Sequence, residues 1–202
     1  MNFMLVASVS RAVWCVSEQQ LSNYRGALGP DNVHRLELRF VPGYATRYQS
    51  DHTRKDIDFL FTGGMTQYRQ SQLSRLHARG RSVTFLESKT PGFLRNDYLA
   101  RSHLSLNIPQ HRNWPHPSQM RYFYAIMHGG LLLSETCKFP CHLDPYVLHA
   151  APDDFTEAAM AILSEAASSR PRTEMFERFR EEMPSRDVMR ALIERSLGSV
   201  DG

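Results

Sequence analysis

The 202-residue chain is short of cysteine, of lysine and of long apolar runs, and each shortage narrows what it can be. Its three cysteines are Cys15, Cys137 and Cys141. An odd, small number does not supply a disulfide framework and suits a reducing compartment, so a cytoplasmic location is expected. No apolar run approaches the ~20 residues of a membrane-spanning helix. The stretch Met4-Leu5-Val6-Ala7-Ser8-Val9 is apolar, but no basic segment precedes it, and Arg11 ends it too early for a secretory signal. Peripheral membrane contact is the membrane role left open. Lysine is nearly absent: Lys55, Lys89 and Lys138 stand among 24 basic residues, and the others are arginine. An arginine fork grips phosphate or carboxylate bidentately, although the same excess can form a merely solvated surface. The arginines are spread along the chain without a basic tail, so nucleic-acid binding is not indicated.

What is present is globular in composition, with 42% hydrophobic and 22% charged residues. The first fifty residues read as a short αβ preface. Residues 12–16 form an apolar strand run, Ser17 caps a helix over 18–28 that Gly29-Pro30 ends, and 33–41 alternates as a strand. A polar linker over 46–55 follows. A regular alternation then begins: strands over 57–61, 82–86, 104–108 and 131–133, with helices over 67–79, 92–100, 119–128 and 155–167. Short apolar strands alternating with capped helices predict an α/β fold with a Rossmann-like, doubly wound parallel sheet. After a hinge-like break at 168–171, two helices are expected over 173–183 and 186–197. Met175, Phe176, Phe179 and Met183 give the first an apolar face. The expected divisions are a preface (1–50), a nucleotide-sugar-binding domain (51–168) and C-terminal helices (169–202).

Ligands of open parallel sheets bind at the carboxyl ends of the strands, and three such ends carry chemistry. The first is Thr62-Gly63-Gly64, with Arg69 one turn into the next helix. Glycines let backbone N–H groups approach an anion beside a helix N-terminus, and they equally make plain turns. The second is Asn107-Ile108-Pro109, leading into a loop with His111, Trp114 and His116. Asn107 offers a donor and an acceptor there, or forms the turn. The third is Ser134-Glu135, where the carboxylate could hold a sugar or ribose hydroxyl or cap the next segment. Ser118 starts the helix carrying Arg121 and Tyr124, so a phosphate there would meet a helix dipole and a guanidinium together. Alternatively, Arg121 pairs with Glu135 and staples helix to strand. Cys137, Cys141 and His142 invite a metal reading, but a second ligand pair at finger spacing is missing and no metal is expected.

These residues carry a resemblance. The segment Asp56-Ile57-Asp58-Phe59-Leu60-Phe61-Thr62-Gly63-Gly64 with Arg69, the triplet Leu106-Asn107-Ile108, the block from Arg121 to Glu135 and Asp153-Asp154-Phe155 resemble the C-terminal domain of glycosyltransferases related to spore maturation protein CgeB. The passage Val13-Trp14-Cys15-Val16-Ser17-Glu18 is similar to the inter-domain segment of the wider group 1 transferases. The likeness covers about four-fifths of the chain. It implies one half of a GT-B fold, the half that binds a nucleotide-diphosphate sugar as substrate. No cofactor is implied, and phosphate charge would be met by helix N-termini and basic side chains. The donor-binding residues it implies are Gly63, Gly64, Arg69, Asn107, Ser118, Arg121, Tyr124 and Glu135.

The pattern also departs from that family. Group 1 transferases carry two glutamates eight positions apart, and here His116 and Tyr124 occupy those places. The acceptor-binding half is not expected within the chain, because few residues precede Trp14. The expected partners are therefore a nucleotide sugar and either a second copy of the chain or a separate acceptor-domain protein. The function expected is glycosyl transfer from a nucleotide-diphosphate sugar. The alternative is a non-catalytic half-transferase that binds or regulates another chain.

Overall fold

The structure, a computed structural model, describes residues 3–44, 54–165 and 170–198. It divides into two compact units, one formed by Met1–Phe40 with Met183–Gly202, the other by Val41–Glu182. The expected divisions at 50/51 and 168/169, and the linker residues 46–53, lie outside the described residues.

In the smaller unit, helix α1 (Phe3–Ser8) leads to strand β1 (Val13–Cys15), helix α2 (Glu18–Leu28) and strand β2 (Val33–Arg35), which pairs with β1 in parallel. Gly29 ends α2 at φ +88°, a conformation that costs other residues a steric penalty. The sequence suggests a strand as far as 41, but β1 offers only three residues to pair with. The chain leaves the ladder after the Leu36 N–H bonds the Cys15 carbonyl at 2.9 Å. The last helix, α8 (Arg186–Leu197), belongs to this unit, and the Trp14 indole donates to Ser196 Oγ at 2.9 Å.

The larger unit holds strands β3 (Ile57–Thr62), β4 (Val83–Leu86), β5 (Ser102–Asn107), β6 (Leu132–Glu135) and β7 (Leu148–Ala150) in the order β4-β3-β5-β6-β7, all parallel. Helices α3 (Gln67–Ala78), α4 (Gly92–Arg101), α5 (Gln119–Met127), α6 (Phe155–Glu165) and α7 (Arg170–Glu182) complete it. The inner strands β3, β5 and β6 are largely buried on both faces, which is why they read as apolar runs. Alternate residues serve the two faces. Phe59 and Phe61 pack with Leu73 and Leu76 of α3 and Phe155 and Ala159 of α6. Leu60 packs with Leu86, Leu99 of α4 and Tyr124 of α5. Each fully buried large apolar side chain contributes roughly 1.5–3 kcal/mol.

From β3 the chain winds outward to β4, then returns past β3 to β5 and continues to β6 and β7. The direction of winding therefore reverses between β3 and β5. Neighbouring crossovers diverge there and leave a crevice at the carboxyl ends of those two strands. Strand β7 has no counterpart in the sequence reading: three residues after a proline-containing turn carry too little alternation to be seen. Among the described residues, no helix is long and apolar enough to cross a membrane.

Candidate functional site

The carboxyl ends of β3 and β5 meet the start of α5 around a cavity of about 390 Å³. Its lining includes Gly63, Gly64, Arg69, Asn107, Ser118 and Arg121, together with Trp114 and His116 of the loop after β5. That is the size of a small-ligand pocket. Six of the eight residues expected from sequence are brought together here. Ser118 takes the N-cap position of α5 without a capping bond from its side chain. The helix thus begins at the cavity with its positive dipole end uncapped by that hydroxyl.

Gly63 is shaped by its neighbour. Its φ is +140°, and a Cβ there would lie 2.8 Å from Nη2 of Arg121. The guanidinium of Arg121 also sits over the Phe61 ring, 5.2 Å from its centroid, and Nη1 donates to Asn107 Oδ1. Its other N–H groups have no acceptor among the described residues, and it forms no ion pair among them. Burial first, and the like charge of Arg69 second, bring its pKa down to about 10, so it remains charged at neutral pH.

Arg69 is more deeply committed to the fold. Nε donates to the carbonyls of Ile108 (2.9 Å) and Pro109 (3.1 Å), and Nη1 to the Gly64 carbonyl (2.6 Å). It therefore ties the end of β3 to the end of β5 while its charge stays at the cavity wall. Burial lowers its pKa, and no carboxylate offsets that among the described residues. Thr66, which the sequence reading passed over, caps α3 by accepting from Arg69 N and donates its hydroxyl to the Gln110 carbonyl at 2.8 Å. Its signal was the Thr-x-x pattern that precedes many helices.

Tyr124 and Glu135 lie elsewhere. Tyr124 lines a neighbouring cavity of about 340 Å³ with Tyr44, Ser88, Arg95, Met120 and Phe123, and this space shares Gly63, Ser88, Ser118 and Arg121 with the first. The Tyr124 hydroxyl is engaged with Asn96 of α4, and Arg95 lies over its ring at 5.4 Å. Arg95, not singled out from sequence, donates to the carbonyls of Ser88 and Thr90.

Glu135 has no exposed surface and lines neither of these cavities. Its Oε2 accepts from the Tyr68 hydroxyl at 2.7 Å, while Oε1 is buried without a partner among the described residues. Burial raises its pKa to about 7, against the opposing effect of the Tyr68 bond. The pairing of Arg121 with Glu135 entertained from sequence is not formed: Arg121 turns to Asn107, and Glu135 to Tyr68.

A third cavity, of about 450 Å³, is lined by Tyr122, Cys137, Asp144 and His149 among others. Burial pushes the thiols of Cys137 and Cys141 up to about 11 and 12, so both are protonated at neutral pH. The described residues contain no group of three or more His, Cys, Asp or Glu placed to hold a metal ion.

No protein-family model matches the chain. No curated protein matches it. Solved structures do. AviGT4, a glycosyltransferase involved in avilamycin A biosynthesis, is similar at a TM-score of 0.55 and 16% identity, over 91% of this chain and 61% of its own. TarM is similar at a TM-score of 0.56 and 10% identity, over 96% of this chain and 45% of its own. The chain thus spans less than two thirds of either, and at these identities the likeness is one of fold. The parallel sheet and its helices match one half of a GT-B glycosyltransferase fold.

Proposed function

We propose that the chain binds a nucleoside-diphosphate sugar through its diphosphate and serves glycosyl transfer. The observation that carries this reading is the pair Arg69 and Arg121. Both line one cavity at the point where the sheet's winding reverses, and its lining contains no carboxylate among the described residues. Two guanidiniums side by side raise each other's cost of charge, and a bound polyanion removes that cost. A helix N-terminus at the same place adds N–H groups and a partial positive charge.

The chemistry follows from that charge. In glycosyl transfer, an acceptor oxygen bonds to the anomeric carbon as the bond from that carbon to the phosphate oxygen breaks. The electron pair leaves with the nucleoside diphosphate, and the acceptor's proton passes to a base. Fixed positive groups around the diphosphate stabilise the charge that develops on it. In this reading, Arg121 and the start of α5 do that work, and Arg69 holds the two strand ends in register. Apart from the arginines, His116 is the titratable group lining this cavity among the described residues. The fold likeness to AviGT4, itself a glycosyltransferase, supports the reaction class.

The test is a thermal-shift panel of nucleoside mono- and diphosphates, followed by donor-sugar hydrolysis with the best binder. A diphosphate should raise the melting temperature more than its monophosphate does. Equal, negligible shifts across the panel would rule out the reading.

A further inference from the structure

We infer that Asn107 is a positioning residue of the anion site: it holds Arg121 in place with a neutral acceptor and so leaves the guanidinium's charge for the ligand. This rests on the anion-binding reading above and adds to it the role of a side chain that is 1% exposed.

The geometry assigns both ends of the amide. Asn107 Nδ2 donates to Ser134 Oγ at 2.9 Å, and Asn107 Oδ1 accepts from Arg121 Nη1. Ser134 Oγ donates to the Glu135 carbonyl at 2.9 Å and accepts from the Tyr122 hydroxyl at 2.6 Å. A hydroxyl has one proton to give. With that proton on the Glu135 carbonyl, Ser134 can only accept from Asn107, so the NH2 of Asn107 faces Ser134 and its oxygen faces Arg121. The polarity runs one way, from Tyr122 and Asn107 into Ser134, and from Arg121 into Asn107. Both groups of the amide are engaged inside the protein, so its effect on a ligand passes through Arg121.

Neutrality is the second half of the argument. Aspartate has nearly the same shape and would also accept from Arg121. It would form an internal ion pair, however, and a bound phosphate would then compete with a carboxylate already in place. An amide fixes the same rotamer without supplying the counter-charge.

The test is a double-mutant cycle on the full chain with Asn107→Ala, Asn107→Asp, Arg121→Ala and the two pairwise combinations. UDP, GDP and inorganic pyrophosphate are titrated by calorimetry, and each protein is melted without ligand. Asn107→Asp should weaken binding roughly ten- to a hundredfold, the worth of one charge-assisted contact, while its ligand-free melting temperature falls less than that of Asn107→Ala, because the ion pair with Arg121 offsets the lost bond to Ser134. In the Arg121→Ala background, Asn107→Ala should not weaken binding further, because the coupling runs through the guanidinium. Asn107→Asp binding as well as wild type, or losses that add when Asn107→Ala and Arg121→Ala are combined, would overturn the inference while leaving the anion site standing. If wild type binds none of the three probes, the proposed function fails first, and the ligand-free melts still decide the inference. Asn107→Asp should then lower the melting temperature more when Arg121 is removed than when it is present, and equal drops in both backgrounds would overturn it.

Discussion

Gly63 and Arg121 stand so close that a side chain on the first would displace the second: a Cβ at 63 would lie 2.8 Å from Nη2 of Arg121. The glycine meets two requirements at once, a φ of +140° and room for a guanidinium. Phe61 lies beneath both arginines, 5.3 Å from Arg69 and 5.2 Å from Arg121, so the strand end is a platform for charge.

Gly63→Ala should therefore do more than strain a turn. The backbone penalty alone is on the order of 1 kcal/mol. If the site works as proposed, nucleoside-diphosphate affinity should fall as well, because the added methyl pushes Arg121 from its place. Gly92→Ala, where a Cβ meets nothing within 4 Å and which lies outside the cavity lining, is the control and should leave affinity near wild type. Calorimetric titration of both variants checks this, and equal affinities would contradict it.

Glu135 should give the stability a distinct pH dependence. Its folded pKa, about 7, lies above the ordinary 4.5, so the folded state holds a proton that the unfolded state has released. Stability from this group is complete below about 4.5 and is lost as pH rises through 7, by roughly 3 kcal/mol. Urea melts from pH 5 to 8 should show wild type weakening relative to Glu135→Gln. Parallel profiles would mean that the carboxylate is charged in the folded protein at neutral pH.

The C-terminal part of the larger unit should be energetically integral to it. Phe179 of α7 is fully buried, with its ring 5.1 Å from that of Tyr146, whose hydroxyl donates to Glu182 at 2.8 Å. Phe179→Ala should cost roughly 3–5 kcal/mol. Denaturant melts measure this, and a loss below ~1 kcal/mol would mean that α7 can leave without disturbing the fold.

The alternation of strands and helices was legible because period and capping are local properties. Phe59, Leu60 and Phe61 announce a strand buried on both faces, and Gly80 closes the helix after it. The clustering of Gly63, Asn107 and Arg121 was also legible, because strand ends of a parallel sheet share one edge. What each residue does there was not. Arg69 reads as a phosphate ligand, yet most of its bonds go to the carbonyls of Gly64, Ile108 and Pro109. Glu135 reads as a hydroxyl acceptor, yet Tyr68, far away in sequence, takes it into the interior. Tyr124 reads as part of the same site and instead faces α4 through Asn96. Partner choice of this kind depends on distances across the fold, which spacing along the chain does not encode.

The central claim is that Arg121 serves a ligand rather than the fold. Its one side-chain hydrogen bond among the described residues goes to a neutral amide, and a like charge stands nearby. Titrating UDP and GDP into wild type and Arg121→Ala, with ligand-free melts of both, tests this most directly. The expected result is saturable binding by wild type, weakened roughly ten- to a hundredfold in the variant, with a melting temperature that does not fall. A variant that melts lower, with no nucleotide bound by either protein, would show that Arg121 is structural and would contradict the account.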